Sequence, residues 1–194
     1  MIVAVTGGSG RLGRSVVAHL ADVGHQVVTI DRDLDESLPG RHVRCDLADR
    51  EATAQVIRAI GPDAVVHLAA IAVPFAAPEH ELLAVNTGLA MSVLDAVLDA
   101  GCTRMLVASS PTVIGYGAPD GWTPRYLPLD EEHPTEPWNA YALSKVTLEG
   151  IVAMAARRDG DRLRIGAFRP CYVIAPEEWQ GAPTQQGHTV LERL

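Results

Sequence analysis

The sequence predicts an α/β fold in three layers, a doubly wound parallel sheet with helices on both faces. Short β-branched runs alternate with longer segments of helical period, which is the pattern of parallel strands joined by crossover helices. The first strand also runs directly into a glycine-rich turn, Thr6 to Gly13, that opens the first helix. Size agrees: 194 residues, 47% hydrophobic and 21% charged, suit one globular α/β domain plus a tail.

Taken in order, Ile2 to Thr6 is an apolar, β-branched run and reads as the first strand. The others are Gln26 to Ile30, His42 to Cys45, Ala64 to Leu68, Arg104 to Ala108 and Arg164 to Phe168. Amphipathic helices are expected from about Gly10 to Val23, Arg50 to Ile60, Glu79 to Ala100 and Asn139 to Arg158. The second stops at Gly61 and Pro62 and the third at Gly101, where a C-cap glycine or a proline ends a helix. Gly115 to Pro137 is rich in Pro, Gly and acidic residues and far longer than an ordinary βα connection, which marks a functional loop. Beyond Phe168, Pro170, Pro176, Pro183 and the polar stretch Gln185, Gln186, Gly187 give no clear element until His188 to Leu194, which reads as the start of another helix.

Several function classes are disfavoured. The formal charge is −8 and none of the 16 basic residues lies in a dense run, so no nucleic-acid partner is expected. The start, MIVAVTGGSG, has no basic region before its apolar run and does not read as a signal peptide, so a cytoplasmic protein is expected. The apolar run from Leu68 to Ala77 is about half the length of a membrane helix and contains Pro74, so no membrane span is expected. Cys45, Cys102 and Cys171 stand far apart without a CxxC pair or a His at ligand spacing, which predicts buried, reduced thiols and no metal site.

The turn TGGSGRLG places Gly7, Gly10 and Gly13 between strand and helix. A tight turn, close approach of a pyrophosphate to bare backbone and close helix–strand packing all require glycine there. Amides at the helix start, around Arg11 and Leu12, then hold phosphate charge. The second strand ends at Asp31, about twenty residues on, where a carboxylate accepts hydrogen bonds from adenosine ribose hydroxyls. This favours NAD, while Arg32, Arg11 and Arg14 keep NADP open through a 2′-phosphate contact.

The GxxGxxG spacing resembles the short-chain dehydrogenase/reductase superfamily, and within it the extended, NAD-dependent epimerase/dehydratase family. From Met1 to about Pro176 the resemblance rests also on Asp31, CDLAD (Cys45 to Asp49), PDAVVHLAA (Pro62 to Ala70), VASSPTVIGYG (Val107 to Gly117) and YALSK (Tyr141 to Lys145). It implies a Rossmann-type domain over 1–170, with 171–194 starting a substrate-binding region that is cut short. By the same resemblance Asp46 and Leu47 flank the adenine, and Leu68, Ala69 and Ala70 line the ribose and pyrophosphate path. His67 reads as a satisfied strand residue rather than a ligand.

The sequence departs from the family in three ways. Where relatives often have RxxN after the sixth strand, this chain has Arg169, Pro170, Cys171 and Tyr172, with Pro170 counted among the cofactor contacts. The motif NVxGTxN survives as Asn86 with Ser92, and Asn86 either bonds near the active site and cofactor or is an exposed helix residue. Relatives also continue into a substrate lobe that is mostly absent here, so the chain is either a piece of a longer molecule or a reduced relative.

Tyr141 and Lys145, four apart on a helix, project from one face and set an ammonium beside a phenol. That arrangement serves base catalysis, since a nearby positive charge, joined by the nicotinamide ring, favours the phenolate. Lys145 is the only lysine in the chain, as if a compact ammonium rather than a guanidinium fork were required there. Ser109 and Ser110 end the fifth strand, and the family pattern counted back from Gly115 makes Ser110 the catalytic hydroxyl. The expected reaction moves hydride between nicotinamide and a hydroxyl-bearing carbon of a sugar-like or nucleotide-sugar substrate, with Tyr141 as base. Alternatives are a uronate-type sugar dehydrogenase, which SSPTVIGYG faintly resembles, and a non-catalytic cofactor-sensing regulator. In the long loop, Trp122, Arg125, Tyr126 and Trp138 either grip the substrate or pack on one another. The resemblance implies a homodimer formed through the two long helices.

Overall fold

The computed structural model describes residues 1–174. The expected helix over His188 to Leu194 and the breaks at Pro176, Pro183 and Gln185 to Gly187 lie outside the described residues, as does most of the region 171–194. Six strands and four helices follow the predicted alternation: β1 (Ile2–Thr6), α1 (Arg11–Asp22), β2 (Gln26–Asp31), β3 (Arg41–Arg44), α2 (Arg50–Ile60), β4 (Ala64–His67), α3 (Glu79–Asp99), β5 (Arg104–Ala108), α4 (Ala140–Asp159) and β6 (Arg164–Phe168). Strand ends move by one residue, because pairing sets them: Asp31 joins β2 opposite Arg44, and β3 starts at Arg41 opposite Val28. A 3₁₀ turn, Pro111–Ile114, starts the long connection between β5 and α4.

All strand pairs are parallel, in the order β3-β2-β1-β4-β5-β6. The chain therefore reverses its direction of winding between β1 and β4, and a crevice opens at their carboxyl ends, where doubly wound sheets bind ligands. Alternation along the strands feeds two cores. Val3, Val5 and Val27 pack with Val17 of α1 on one face. Ala4, Val28, Ile30, Val65, Met105 and Val107 pack against α2, α3 and α4 on the other. Val93 and Leu94 of α3 are wholly buried, each stabilising the fold by about 1.5–3 kcal/mol.

Local signals explain the helix ends. Asp49 caps α2 by accepting from Ala52 N at 3.0 Å, and Gly61, at φ 58°, closes it by donating to Ile57 O. Asn139 caps α4 through Ala142 N at 2.8 Å, and such caps contribute about 1 kcal/mol each. α3 departs from the expected narrow apolar stripe, because it is wedged between α2 and α4 and buries a broad face that includes Asn86 and Ser92. By length and composition it is the one helix among the described residues that could cross a membrane, but here it is a core helix.

On the α1 side of the sheet no helix lies over β5 and β6 among the described residues. A shallow hollow there is lined by Val66, Leu106 and Gly166, with Arg104 and Arg164 side by side at one end, and Leu106 is 43% exposed. Cys45 and Cys102 are buried, and burial raises both thiol pKa values. Cys171 is exposed, contrary to expectation, because it lies past the end of β6 and off the core.

Candidate active site

The glycine turn is as tight as its spacing requires. Gly7 has φ +70° and donates to Ile30 O at 2.9 Å, and a Cβ there would lie 2.6 Å from Ala69 N. At Gly13 a Cβ would lie 2.2 Å from Gly7 O, so α1 sits directly on the turn. Gly10, exposed, is the N-cap of α1 and offers no side-chain cap. Gly10 thus leaves the N-terminus of α1 open beside the turn, a place that suits a phosphate.

The rest of the predicted cofactor set divides. Asp31 is half-buried at the end of β2 and accepts from Ser9 N at 3.1 Å and Arg32 N at 2.8 Å, which ties its carboxylate to the glycine turn. Arg14 is committed to Ser9 O at 2.9 Å and to Asp35 at 3.3 Å. Leu68, Ala69 and Ala70 follow β4 beside Gly7, half-buried, on the crevice wall. Asp46 is exposed and accepts from Ala48 N at 3.0 Å, but Leu47 points into the main core at 5% exposure, so its side chain is unavailable to a ligand. Asn86 is 1% exposed, which rules out the exposed-helix alternative. It accepts from Ile71 N at 2.8 Å, and its amide hydrogens go to Ile71 O at 3.2 Å and Ser144 Oγ at 3.1 Å, so it is a tie between α3, α4 and the loop after β4. Pro170, half-buried, follows β6 at the sheet edge, and the chain then returns toward α1, where Arg11 Nη1 reaches Val173 O at 3.5 Å.

Ser110, Tyr141 and Lys145 come together at the carboxyl ends of β4 and β5. Lys145 is 3% exposed, donates to Ala108 O at 2.9 Å and lies 5.7 Å from the centroid of the Tyr141 ring. Ser110 is extended, and its oxygen accepts from Thr112 N at 3.2 Å and Thr112 Oγ1 at 3.0 Å. With both lone pairs engaged, the Ser110 proton is left to face Tyr141, whose pKa the Ser110 hydroxyl lowers. Ser109 is turned away, its hydroxyl donating to Glu149 Oε1 at 2.5 Å.

The electrostatics of the chain alone bear on the acidity of Tyr141. Burial raises the Tyr141 pKa, opposed only by the Ser110 hydrogen bond, so the chain's own ammonium does not make this phenol acidic. Burial also lowers the Lys145 pKa to about 8, which weakens it as a fixed charge. His67 is 2% exposed, its Nδ1 is bonded to Thr6 Oγ1 at 2.7 Å, and its Nε2 has no protein partner among the described residues. Burial, aided by the Lys145 charge, lowers the His67 pKa to about 3 and keeps the ring neutral.

A pH dependence of stability follows from Lys145. Its folded pKa of about 8 lies below the ordinary 10.5, so between these values the unfolded chain binds the proton more readily. The cost of burying the charge is complete below about pH 8 and disappears as pH rises toward 10.5. Urea melts of wild type should gain stability across that window relative to Lys145→Met; parallel curves would show that the amine does not titrate there.

The long loop packs on itself, which decides between the two expectations for three of its four residues. Trp122 Nε1 donates to Ile114 O at 2.7 Å, Arg125 Nε to Glu136 Oε1 at 2.9 Å and Tyr126 Oη to Asp130 Oδ1 at 2.6 Å. His133, buried beneath them, contacts both the Trp122 and Tyr126 rings. Trp138 instead pairs with Phe75 at 5.8 Å, and both rings are exposed. Sequence reasoning missed Thr112 and Glu149, although both carried a signal: Thr112 has the two-residue spacing of a Ser/Thr turn, and Glu149 continues the four-residue spacing of Tyr141 and Lys145.

This geometry has clear counterparts. A profile of the NAD dependent epimerase/dehydratase family matches residues 3–194. The UDP-glucose 4-epimerase of Azospirillum brasilense is 34% identical over 168 residues, which cover 82% of this chain and 46% of that enzyme. The UDP-glucose 4-epimerase of Brucella ovis, solved in complex with NAD, superposes with a TM-score of 0.77 at 28% identity, covering 87% of this chain and 51% of that one. A mutated uronate dehydrogenase superposes at 0.72 with 27% identity, over 87% of this chain and 57% of its own. The chain spans about half the length of the curated relatives it matches. With the glycine turn, the β1–β4 crevice and the Ser110, Tyr141 and Lys145 cluster on one sheet edge, and a family profile spanning nearly every residue, the chain belongs to the NAD-dependent epimerase/dehydratase family.

Proposed function

We propose that this chain is the dinucleotide-binding half of an NAD-dependent enzyme that oxidises a hydroxyl-bearing carbon of a nucleotide sugar, with Tyr141 as the base. The observation that carries this reading is the buried contact of Tyr141 with Ser110 and Lys145 at the mouth of the crevice. The glycine turn fits the cofactor's pyrophosphate, and Asp31 fits its adenosine ribose while repelling a 2′-phosphate. When bound, the nicotinamide supplies the hydride acceptor. Tyr141 takes the hydroxyl proton as hydride leaves the same carbon, Ser110 donates to the substrate oxygen, and Lys145 holds ribose hydroxyls and an ammonium near the phenol. In reduction Tyr141 returns the proton.

A nucleotide-sugar substrate is supported by the 4-epimerase relatives. A free uronate is the second reading, favoured by the superposition on a uronate dehydrogenase. The full-length protein, given NAD with UDP-glucose or UDP-galactose, should interconvert them without accumulating NADH. Stoichiometric NADH from glucuronate or galacturonate would select the dehydrogenase reading, and NAD binding without turnover on either group would select the cofactor sensor.

The same reading includes a homodimer in the cytoplasm, where three unpaired cysteines stay reduced. Support for the dimer comes from α3 and α4, which pack together and leave Val85 37% and Leu143 42% exposed. Light scattering should give the mass of two chains, falling to one for Leu143→Asp; a wild-type monomer would end the dimer proposal.

A further inference from the structure

We propose that Glu149, gripped by Arg169, is a positioning residue that aims the Ser110 hydroxyl by anchoring the neighbouring Ser109. The proposal rests on the reading of Ser110 and Tyr141 as the reacting pair. Tyr141, Lys145 and Glu149 are spaced by four residues and lie along one face of α4. The first two reach the reacting centre. The third reaches the serine beside it.

Three elements meet at this carboxylate. Ser109, 2% exposed just past β5, donates its hydroxyl to Glu149 Oε1 at 2.5 Å, and its amide donates to Phe168 O at the end of β6 at 2.7 Å. Arg169, the next residue after β6, holds Glu149 with a fork, Nε to Oε1 and Nη2 to Oε2, both at 2.8 Å. The two side chains are only 20% and 22% exposed, so the pair is shielded from solvent. Burial alone would raise the Glu149 pKa, but the Arg169 and Ser109 hydrogen bonds and the Arg169 charge outweigh it and hold the carboxyl below its ordinary value. An ionised acceptor gives the strongest grip on Ser109, and only a guanidinium presents the matching fork.

The consequence for Ser110 comes from chain geometry. The backbone at Ser110 is extended, with φ −162° and ψ 150°, so consecutive side chains point to opposite sides. Fixing Ser109 toward the third turn of α4 therefore directs Ser110 toward Tyr141 on the first turn. Both ends of this span belong to α4, so the spacing between Glu149 and Tyr141 is set by one rigid helix. An error of about 1 Å in such a placement costs on the order of 10²-fold in rate.

The test uses the full-length protein. Glu149→Gln keeps size and shape but loses the charge, and Ser109→Ala removes the hydroxyl that Glu149 holds. Each should lower kcat by about 10- to 100-fold, while the Kd for NAD, the KM for the sugar and the melting temperature stay near wild type. The double variant should be no slower than the slower single one, because both remove the same bond. Arg169→Lys should lose part of kcat, and Arg169→Ala more. Unchanged kcat in both single variants, or losses that multiply in the double, would overturn the proposal, as would a loss confined to melting temperature or NAD binding. If Glu149→Gln fails to fold, Ser109→Ala decides alone. Tyr141→Phe is assayed alongside: if it turns over normally, the catalytic reading itself is wrong, whereas an inactive Tyr141→Phe with a fully active Glu149→Gln sinks only the positioning role.

Discussion

Tyr141→Phe should bind NAD as tightly as wild type and turn over at least about 10²- to 10⁴-fold more slowly, the range removed with a positioned acid–base group. The ring keeps its half-buried seat at the first turn of α4, so packing and the Lys145 contact at 5.7 Å survive. What disappears is the oxygen beside Ser110 that, on the proposed mechanism, exchanges the substrate proton. On the same proposal affinity is set elsewhere, by the glycine turn and Asp31, and should not follow the rate. A fluorescence titration with NAD and a turnover assay on the same preparation separate the two. Weak NAD binding would mean that the phenol is a structural support, and wild-type turnover would mean that the base is another group.

Gly13→Ala should abolish NAD binding and destabilise the fold, which is the opposite of what alanine does at an ordinary helix position. Within a helix, replacing Gly by Ala removes backbone entropy and stabilises by roughly 0.5–1 kcal/mol. Here the new methyl would lie 2.2 Å from Gly7 O and 2.6 Å from Gly8 Cα and O. These are backbone atoms of the turn, so no side chain can swing aside. Either α1 lifts off β1, opening the core around Val17, or the turn proposed to seat the pyrophosphate is pushed out of shape. Overpacking of this kind costs about 1–3 kcal/mol. Thermal melts and an NAD titration check both effects, and a variant that binds normally would show that the turn is more pliant than it looks.

The fold was legible because its signals are local and repeated. β-branched runs, and Gly61 and Gly101 as stops, each act within a few residues, and all agree. The glycine turn was legible for the same reason, with three glycines at fixed spacing between strand and helix. The juxtaposition of Tyr141 and Lys145 could be read because a helix converts spacing into direction. Where direction depended on tertiary packing, the sequence was silent. Leu47 turns into the core although the motif around it suggests a surface contact. Asn86 finds Ile71 and Ser144, partners fifteen and fifty-eight residues away, and no pattern within α3 names them. Glu149 bonds Ser109 and Arg169 across forty and twenty residues. The aromatic loop misled for the reverse reason, since its partners are nearby: Trp122, Arg125 and Tyr126 satisfy one another within a short irregular span that has no period to read. In the chain alone burial raises the Tyr141 pKa, and burial is a quantity that spacing does not encode.

The uncovered patch around Leu106 has a practical side. Greasy strands facing water invite neighbouring molecules to stick, and β6 on the sheet's rim adds backbone groups ready to recruit another strand. Arg104 and Arg164 sit together at one end of the patch and can only blunt that tendency. Anyone expressing residues 1–174 alone should therefore expect precipitation that worsens with concentration and eases when Leu106 is exchanged for a polar residue.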